Sequence, residues 1–267
     1  MLQQTQAGRV APAFERFVER FPSVSELARA GRADVLRAWS GLGYNRRAVA
    51  LSEAARAVVR DHGGQVPSAP AALAALPGVG PYTAAAVASL GHGVAVAVVD
   101  TNVRRVVSRA RLGVEPGEAS EPDVRRASQA WLDPDDPAAW NQALMDLGRE
   151  VCRPVPRCEA CPLRRTCRSV RPASGPRRAA PPGRGAGRGA RPPAPRFEGS
   201  TRQVRGAVVR VLRDGRAMTV SGVARATGHA LDPVAAAIGG LAADGVVDAG
   251  AAALAGRPGG RVQLARG

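Results

Sequence analysis

The sequence predicts a mostly α-helical protein that ends in a small α+β unit, and three observations carry that reading. Apolar residues recur at helical spacing through residues 1–168, where strand-like alternation is nearly absent. A stretch dominated by Arg, Pro, Gly and Ala then runs from 169 to 196 and has nothing to build a core from. Beyond it, three further helical patterns and two short apolar runs close the chain.

The elements follow in order. Ser23-Val24-Ser25-Glu26 has the form of a capping box, and Leu27, Val35, Leu36 and Trp39 continue an apolar face behind it. Leu51 to Val59 reads as a helix with Ala54, Ala55, Val58 and Val59 inward. Leu73 and Leu76 close a helix, Pro77-Gly78-Val79-Gly80 makes a tight turn, and a second helix opens around Tyr82. The apolar run Val94–Val99 is short and ends at Asp100. Val103–Arg111, Val124–Leu132 and Asn141–Val151 complete the helical series. In the last part, Gln203–Arg213, Val220–Thr227 (closed by Gly228) and Asp232–Ala243 are helical. Gly245-Val246-Val247 and Arg261–Leu264 read as a two-stranded wing, so this part has a winged-helix pattern. The expected division is a helical core over 1–151, a cysteine loop over 152–168, a disordered linker over 169–196 and a winged-helix-like domain over 197–267.

Composition narrows the chemistry. A chain of 267 residues suffices for one good core and a smaller unit. Its formal charge is +16, and all 38 basic residues are Arg, whose planar fork grips phosphate in bidentate fashion. The balance points to a polyanionic partner. The lack of any Lys leaves only the N-terminal amine for Schiff-base chemistry and so excludes a lysine nucleophile. Four Cys within 16 residues do not form a secreted disulfide framework, and no run approaches membrane-spanning length. The chain therefore reads as cytoplasmic, with no membrane partner.

Three features carry chemistry. The Gly78–Gly80 turn lets bare amides point outward at a helix start, a surface suited to phosphate. Asp100 sits where a carboxylate serves either as a helix N-cap or as an electrostatic group beside a developing cation. Cys152, Cys158, Cys161 and Cys167 follow a C-x5-C-x2-C-x5-C pattern that suits tetrahedral zinc or a [4Fe–4S] cluster. Only Cys158 and Cys161 form a close pair, and the isolated outer cysteines favour the cubane cluster.

Several segments together resemble a known family. Met1-Leu2-Gln3-Gln4-Thr5-Gln6, Gly41-Leu42-Gly43-Tyr44, Leu76-Pro77-Gly78-Val79-Gly80, Val99–Val106 and Asn141–Gly148 are similar, in order and spacing, to the adenine DNA glycosylases. These belong to the helix-hairpin-helix base-excision superfamily, and the resemblance covers residues 1 to about 168. It implies a helix-hairpin-helix core and removal of adenine mispaired with 8-oxoguanine or guanine in double-stranded DNA, the base being flipped from the stack. It implies Asp100 as the catalytic carboxylate that stabilises the cationic sugar, and a monomer carrying a [4Fe–4S] cluster on the four cysteines. Tyr82 matches the position where related lyases carry a lysine, so base excision without strand cleavage is expected. Gln3, Gln4 and Tyr44 match residues inserted into or beside the duplex. Gly78, Val79 and Gly80 would hold the DNA backbone through amides, together with a monovalent cation, and Asn102 and Arg105 join the DNA-facing set.

The chain departs from the family at three places. The catalytic glutamate that protonates adenine falls two residues before the position of Met1, so an N-terminal segment is expected upstream. The first cysteine gap is one residue shorter than usual. The carboxy-terminal domain that reads 8-oxoguanine is replaced by the winged-helix-like unit. Two alternatives follow, a catalytically impaired mispair-binding protein and a winged-helix DNA-binding regulator.

Overall fold

The computed structural model describes Met1, Leu2, Thr5 and residues 7–170 and 198–266. Gln3, Gln4 and residues 171–196 of the expected linker lie outside the described residues. The first helices are α1 (Ala7–Arg20), α2 (Val24–Arg29), α3 (Arg32–Ala38) and α4 (Arg46–His62). Then come α5 (Pro70–Ala74), α6 (Pro81–Ala86), α7 (Thr101–Val107), α8 (Glu121–Ala130) and α9 (Pro137–Glu150). The last part holds α10 (Thr201–Leu212), β1 (Met218–Thr219), α11 (Val220–Thr227), α12 (Leu231–Ala243), β2 (Val247–Ala249), α13 (Ala251–Leu254) and β3 (Arg261–Leu264). Two compact units result, Met1–Val66 with Arg191–Gly267 and Pro67–Ala190.

In the first unit, α2 begins where the capping box predicts. Ser23 Oγ accepts from the Glu26 amide at 3.2 Å, satisfying one of the orphan donors of a helix start. Phe17 packs edge-on against Phe21 and Trp39, with ring centroids 5.0 and 6.0 Å apart. Val35, Leu36 and Trp39 lie in the same buried cluster as Val208, Leu212, Ile238 and Leu241, so α1–α4 and the carboxy-terminal helices share one core. Polar ties reinforce it, Arg37 Nε donating to Arg213 O at 2.9 Å.

The carboxy-terminal part is a three-helix, three-stranded winged-helix arrangement, with α13 as a short extra turn. Its antiparallel sheet has the order β1-β3-β2, with Met218 opposite Val262 and Val247 opposite Leu264. The sequence indicates two strands. The third, β1, is only two residues long and too short to show alternation.

In the second unit, α5 and α6 form the predicted hairpin of helices, and α6 continues as a π-turn over Val87–Gly91. Helix α7 continues likewise over Ser108–Leu112 and packs closely on α9. The extended run before Asp100 joins no sheet among the described residues, yet its backbone groups are paired. Gln129 accepts from the Ala97 amide at 2.9 Å and donates to Ala95 O at 3.0 Å. Asn141 accepts from the Val98 amide at 2.9 Å and donates to Val96 O at 3.0 Å. Two carboxamides thus stand in for a neighbouring strand.

Candidate active site and nucleic-acid interface

The hairpin is built by two glycines used differently. Gly78 has φ +71°, a left-handed conformation that L side chains resist, so the turn itself requires it. Gly80, the N-cap of α6, has an ordinary φ of −85°, and a Cβ added there would meet nothing within 4 Å. The packing around Gly80 therefore does not require a glycine, and the space beside its backbone is open. The Val79 amide, expected among the phosphate donors, closes the turn on Leu76 O at 3.1 Å. Exposed Gly78 and Gly80 are left as the outward face of the turn.

Asp100 caps α7. Its Oδ1 accepts from the Asn102 and Val103 amides at 2.8 and 2.7 Å, and its Oδ2 accepts from Asn102 Nδ2 at 2.9 Å. The capping role and the electrostatic role are therefore compatible: three donors fix the carboxylate as an acceptor, and the helix start adds positive potential. The Tyr82 phenol is pushed above its ordinary pKa, first by burial and then by the Asp100 charge, so these two residues from different helices share one electrostatic neighbourhood.

From Asp100 a chain of hydrogen bonds leads to the cysteine loop. Asn102 Oδ1 accepts from Arg105 Nη2 at 2.9 Å, the same guanidinium donates to Gly148 O at 2.6 Å, and its Nε donates to Cys152 O. Arg105, expected at the DNA surface, spends its donors inside the protein. Arg109 holds both ends of the loop. Its Nη1 lies 3.8 Å from Cys152 Sγ and donates to Arg153 O at 2.7 Å. Its carbonyl accepts from Ser169 Oγ at 2.9 Å and from Cys167 Sγ at 3.7 Å. Glu115 pairs with this nearly buried guanidinium at 2.9 Å, meeting the charge that burial would otherwise penalise.

The four cysteines are half-buried free thiols. Among the described residues, no three His, Cys, Asp or Glu side chains converge on a single metal-ion position. An all-thiol set spread along a loop fits a multi-iron cubane, whose ligands stand at separate corners rather than around one ion.

Tyr44 belongs to the first unit. Gly41 and Gly43 have φ of +90° and +70°, and Trp39 Nε1 pins the turn by donating to Gly43 O at 3.0 Å. Tyr44 itself has φ +48°, the one non-glycine with positive φ among the described residues. A bulky residue held so, with its ring exposed, is strain of the kind concentrated at functional positions. Arg47 reaches back to Met1 O at 3.1 Å and to Thr5 Oγ at 3.2 Å, fastening both sides of the segment that carries Gln3 and Gln4.

Sequence reasoning assigns no role to Asn141, Gln129, Arg109 or Gly148, which all act by positioning. The signal for Asn141 is a carboxamide at a core-facing position of α9, three residues before buried Leu144.

A hairpin of helices, a capped carboxylate after it and a four-thiol loop together define a helical protein of the base-excising class. The profile of "HhH-GPD superfamily base excision DNA repair protein" matches residues 1–134. An adenine DNA glycosylase of Mycolicibacterium smegmatis is 45% identical over 216 residues, covering 80% of this chain and 69% of that protein. The human adenine DNA glycosylase is 41% identical over 173 residues, covering 63% of this chain and 32% of its own length. Among solved structures, a thermostable thymine-DNA glycosylase superposes with a TM-score of 0.59 at 30% identity, over 63% of this chain and 79% of that one. An endonuclease III bound to DNA shares the fold, with a TM-score of 0.54 at 24% identity over 62% of this chain and 78% of that one. The chain belongs to the HhH-GPD superfamily of base excision DNA repair proteins and is a DNA glycosylase. Among the described residues, no helix is long and apolar enough to cross a membrane.

Proposed function

We propose that this glycosylase removes adenine opposite 8-oxoguanine or guanine in duplex DNA, as a monomer, by hydrolysis and without cutting the strand. The observation that carries the reading is Asp100, a carboxylate fixed by three donors and electrostatically coupled to Tyr82, in a chain without Lys. The relatives named adenine DNA glycosylase support the choice of base.

The chemistry follows from the groups present. A target base cannot be reached inside the stack, so it is flipped out while the hairpin grips the backbone and Tyr44 wedges the gap; the Gly78–Gly80 turn would hold a monovalent cation that supplies positive charge to the phosphate. Gln3 and Gln4 meet exposed base edges. As the glycosidic bond lengthens, positive charge grows on the sugar. The Asp100 carboxylate, already oriented, stabilises that charge with no reorganisation; water adds its oxygen to the sugar carbon as adenine leaves, and one of its protons is balanced by the proton the released base takes up. With its pKa raised, Tyr82 stays a neutral phenol and supplies no nucleophile. Cys152, Cys158, Cys161 and Cys167 would hold a [4Fe–4S] cluster, whose contribution when bound is a rigid cross-link of the Arg-rich loop.

Single-turnover excision on an A:8-oxoguanine duplex, by this chain and by a version extended upstream in frame, tests the proposal. An abasic product without strand scission supports it. Mispair binding without excision by either version overturns it.

A further inference from the structure

Helix α10 lays a row of arginines along a cleft of about 1120 Å³ whose opposite wall is α1 and the Gly41–Arg47 turn. Seven arginines line this cleft against a single carboxylate, Asp244, which is already paired with Arg205. Arg202, Arg210 and Arg213 share one face of α10 and face Arg9, Arg46 and Arg47. From Arg202 to Arg213 the helix rises about 16 Å at ~1.5 Å per residue. That is the rise of about five nucleotides at ~3.4 Å each along one strand. Cations gathered so densely repel one another, and an anion of matching length relieves the repulsion.

Gly206 gives an independent indication. It sits in the middle of α10, on the cleft-facing side, where glycine weakens a helix. A Cβ at Gly206 would meet nothing within 4 Å, so packing does not require the glycine. It keeps the floor of the cleft open. Beside it, the Arg47 and Arg202 guanidiniums both lie over the exposed Tyr44 ring, 5.2 and 5.3 Å from its centroid, so the ring gathers cations from both walls. By contrast α12, the helix a helix-turn-helix pair would place in the major groove, contains no Lys or Arg in Leu231–Ala243.

We propose that the cleft between α10 and the Gly41–Arg47 turn binds the sugar–phosphate backbone of duplex DNA, as a contact additional to the hairpin. The arginines of α10 hold successive phosphates, and Gly206 leaves room for the strand. The carboxy-terminal unit thereby contributes affinity through its first helix and not through a recognition helix. This deepens the reading of the chain as a DNA glycosylase, but its test needs no base excision.

The experiment measures binding of the full chain to an undamaged, fluorescein-labelled duplex across a salt series. The variant Arg202→Gln/Arg210→Gln is expected to lower the slope of log K against log salt by about 1.8, at ~0.9 per phosphate contact. Arg202→Lys/Arg210→Lys keeps the slope. Gly206→Leu raises the melting temperature, because α10 gains a helix former, while weakening DNA binding at least severalfold. An unchanged slope in the glutamine variant overturns the proposal. So does an equal fall in the lysine variant, or unaltered binding by a stabilised Gly206→Leu. Loss of excision activity alone bears on the catalytic reading and leaves the cleft standing.

Discussion

Gly148 on α9 lies so close to Asn102 on α7 that an added Cβ would fall 2.6 Å from Asn102 Cβ and 2.8 Å from Asn102 O. No side chain fits there. Asn102 in turn donates to Asp100 through both its backbone amide and its side-chain amide, so the spacing of two helices is transmitted directly to the Asp100 carboxylate. Gly148→Ala is expected to destabilise the protein by about 1–3 kcal/mol, as overpacking does, and to push Asn102 out of register. Urea denaturation reads the first effect, and single-turnover excision at saturating enzyme reads the second. A variant with unchanged stability and unchanged excision would show that the contact is yielding.

The Asn141 carboxamide makes four hydrogen-bond contacts in a buried site: its oxygen accepts from the Val98 amide at 2.9 Å, and its nitrogen donates toward Val96 O at 3.0 Å and toward Ser89 Oγ and Pro137 O, both at 2.9 Å. Asn141→Leu keeps the branched shape, with somewhat more bulk, and removes all of them. The loss is expected to be about 3 kcal/mol or more, because several buried polar groups are left unpaired at ~1–3 kcal/mol each. Hydrogen exchange should show the Val98 amide losing protection before the helices around it. Asn141→Asp, which still accepts from Val98, should protect that amide better than Asn141→Leu does.

What the sequence makes legible here is local. Ser23 caps α2 and Gly228 ends α11 in a left-handed turn because those signals act within a few residues. Asp100 is legible as the N-cap of α7, which its side chain closes. The partners that position it are not. Asn141 and Gln129 reach the extended run across 43 and 32 residues of chain, and no periodicity encodes such a pairing. An apolar stripe announces that a helix buries a face without naming the other side, so the single cluster joining Trp39 with Leu212 emerges only in three dimensions. The resemblance places Arg105 in the DNA-facing set, while its guanidinium donates to the Asn102 side chain and to the Gly148 and Cys152 carbonyls.

Arg105 bridges Asn102, Gly148 and Cys152 with one planar fork, which lysine cannot reproduce from a single ammonium. Arg105→Lys is therefore expected to lower both excision and retention of the cluster proposed for the four cysteines, by about 10–100-fold for the more sensitive of the two, as for other groups that orient a ligand shell. Iron and sulfide content per chain is measured beside the excision rate. Normal content together with normal excision would reduce Arg105 to a packing residue.

Tyr82 gives a pH-dependent readout. The chain has two tyrosines, so in a Tyr44→Phe background the phenolate absorbance reports Tyr82 alone. Its midpoint should lie above the ordinary tyrosine value of about 10. Asp100→Asn should bring the midpoint down but not fully back, since burial is the larger cause. The folded state holds this proton more tightly than the unfolded state does, so the contribution to stability falls as pH rises past the unfolded tyrosine's range. Below that range Tyr82 contributes no pH dependence. A midpoint unmoved by Asp100→Asn would separate the two residues.

Gly78 and Gly80 should respond oppositely to the same change. Gly78→Ala forces a methyl group onto a backbone with φ +71°, at a cost of about 1–2 kcal/mol in folding stability. Gly80→Ala sits at φ −85° with open space around the new Cβ, so stability should change by no more than about 1 kcal/mol, the scale of a helix-cap substitution. Its effect should instead appear in DNA affinity, because the methyl occupies the face from which a phosphate approaches the backbone. Thermal melts and duplex binding on the two single variants separate these outcomes. If Gly80→Ala binds DNA as tightly as the parent chain, the phosphate does not approach at Gly80, and the grip must lie elsewhere on the hairpin.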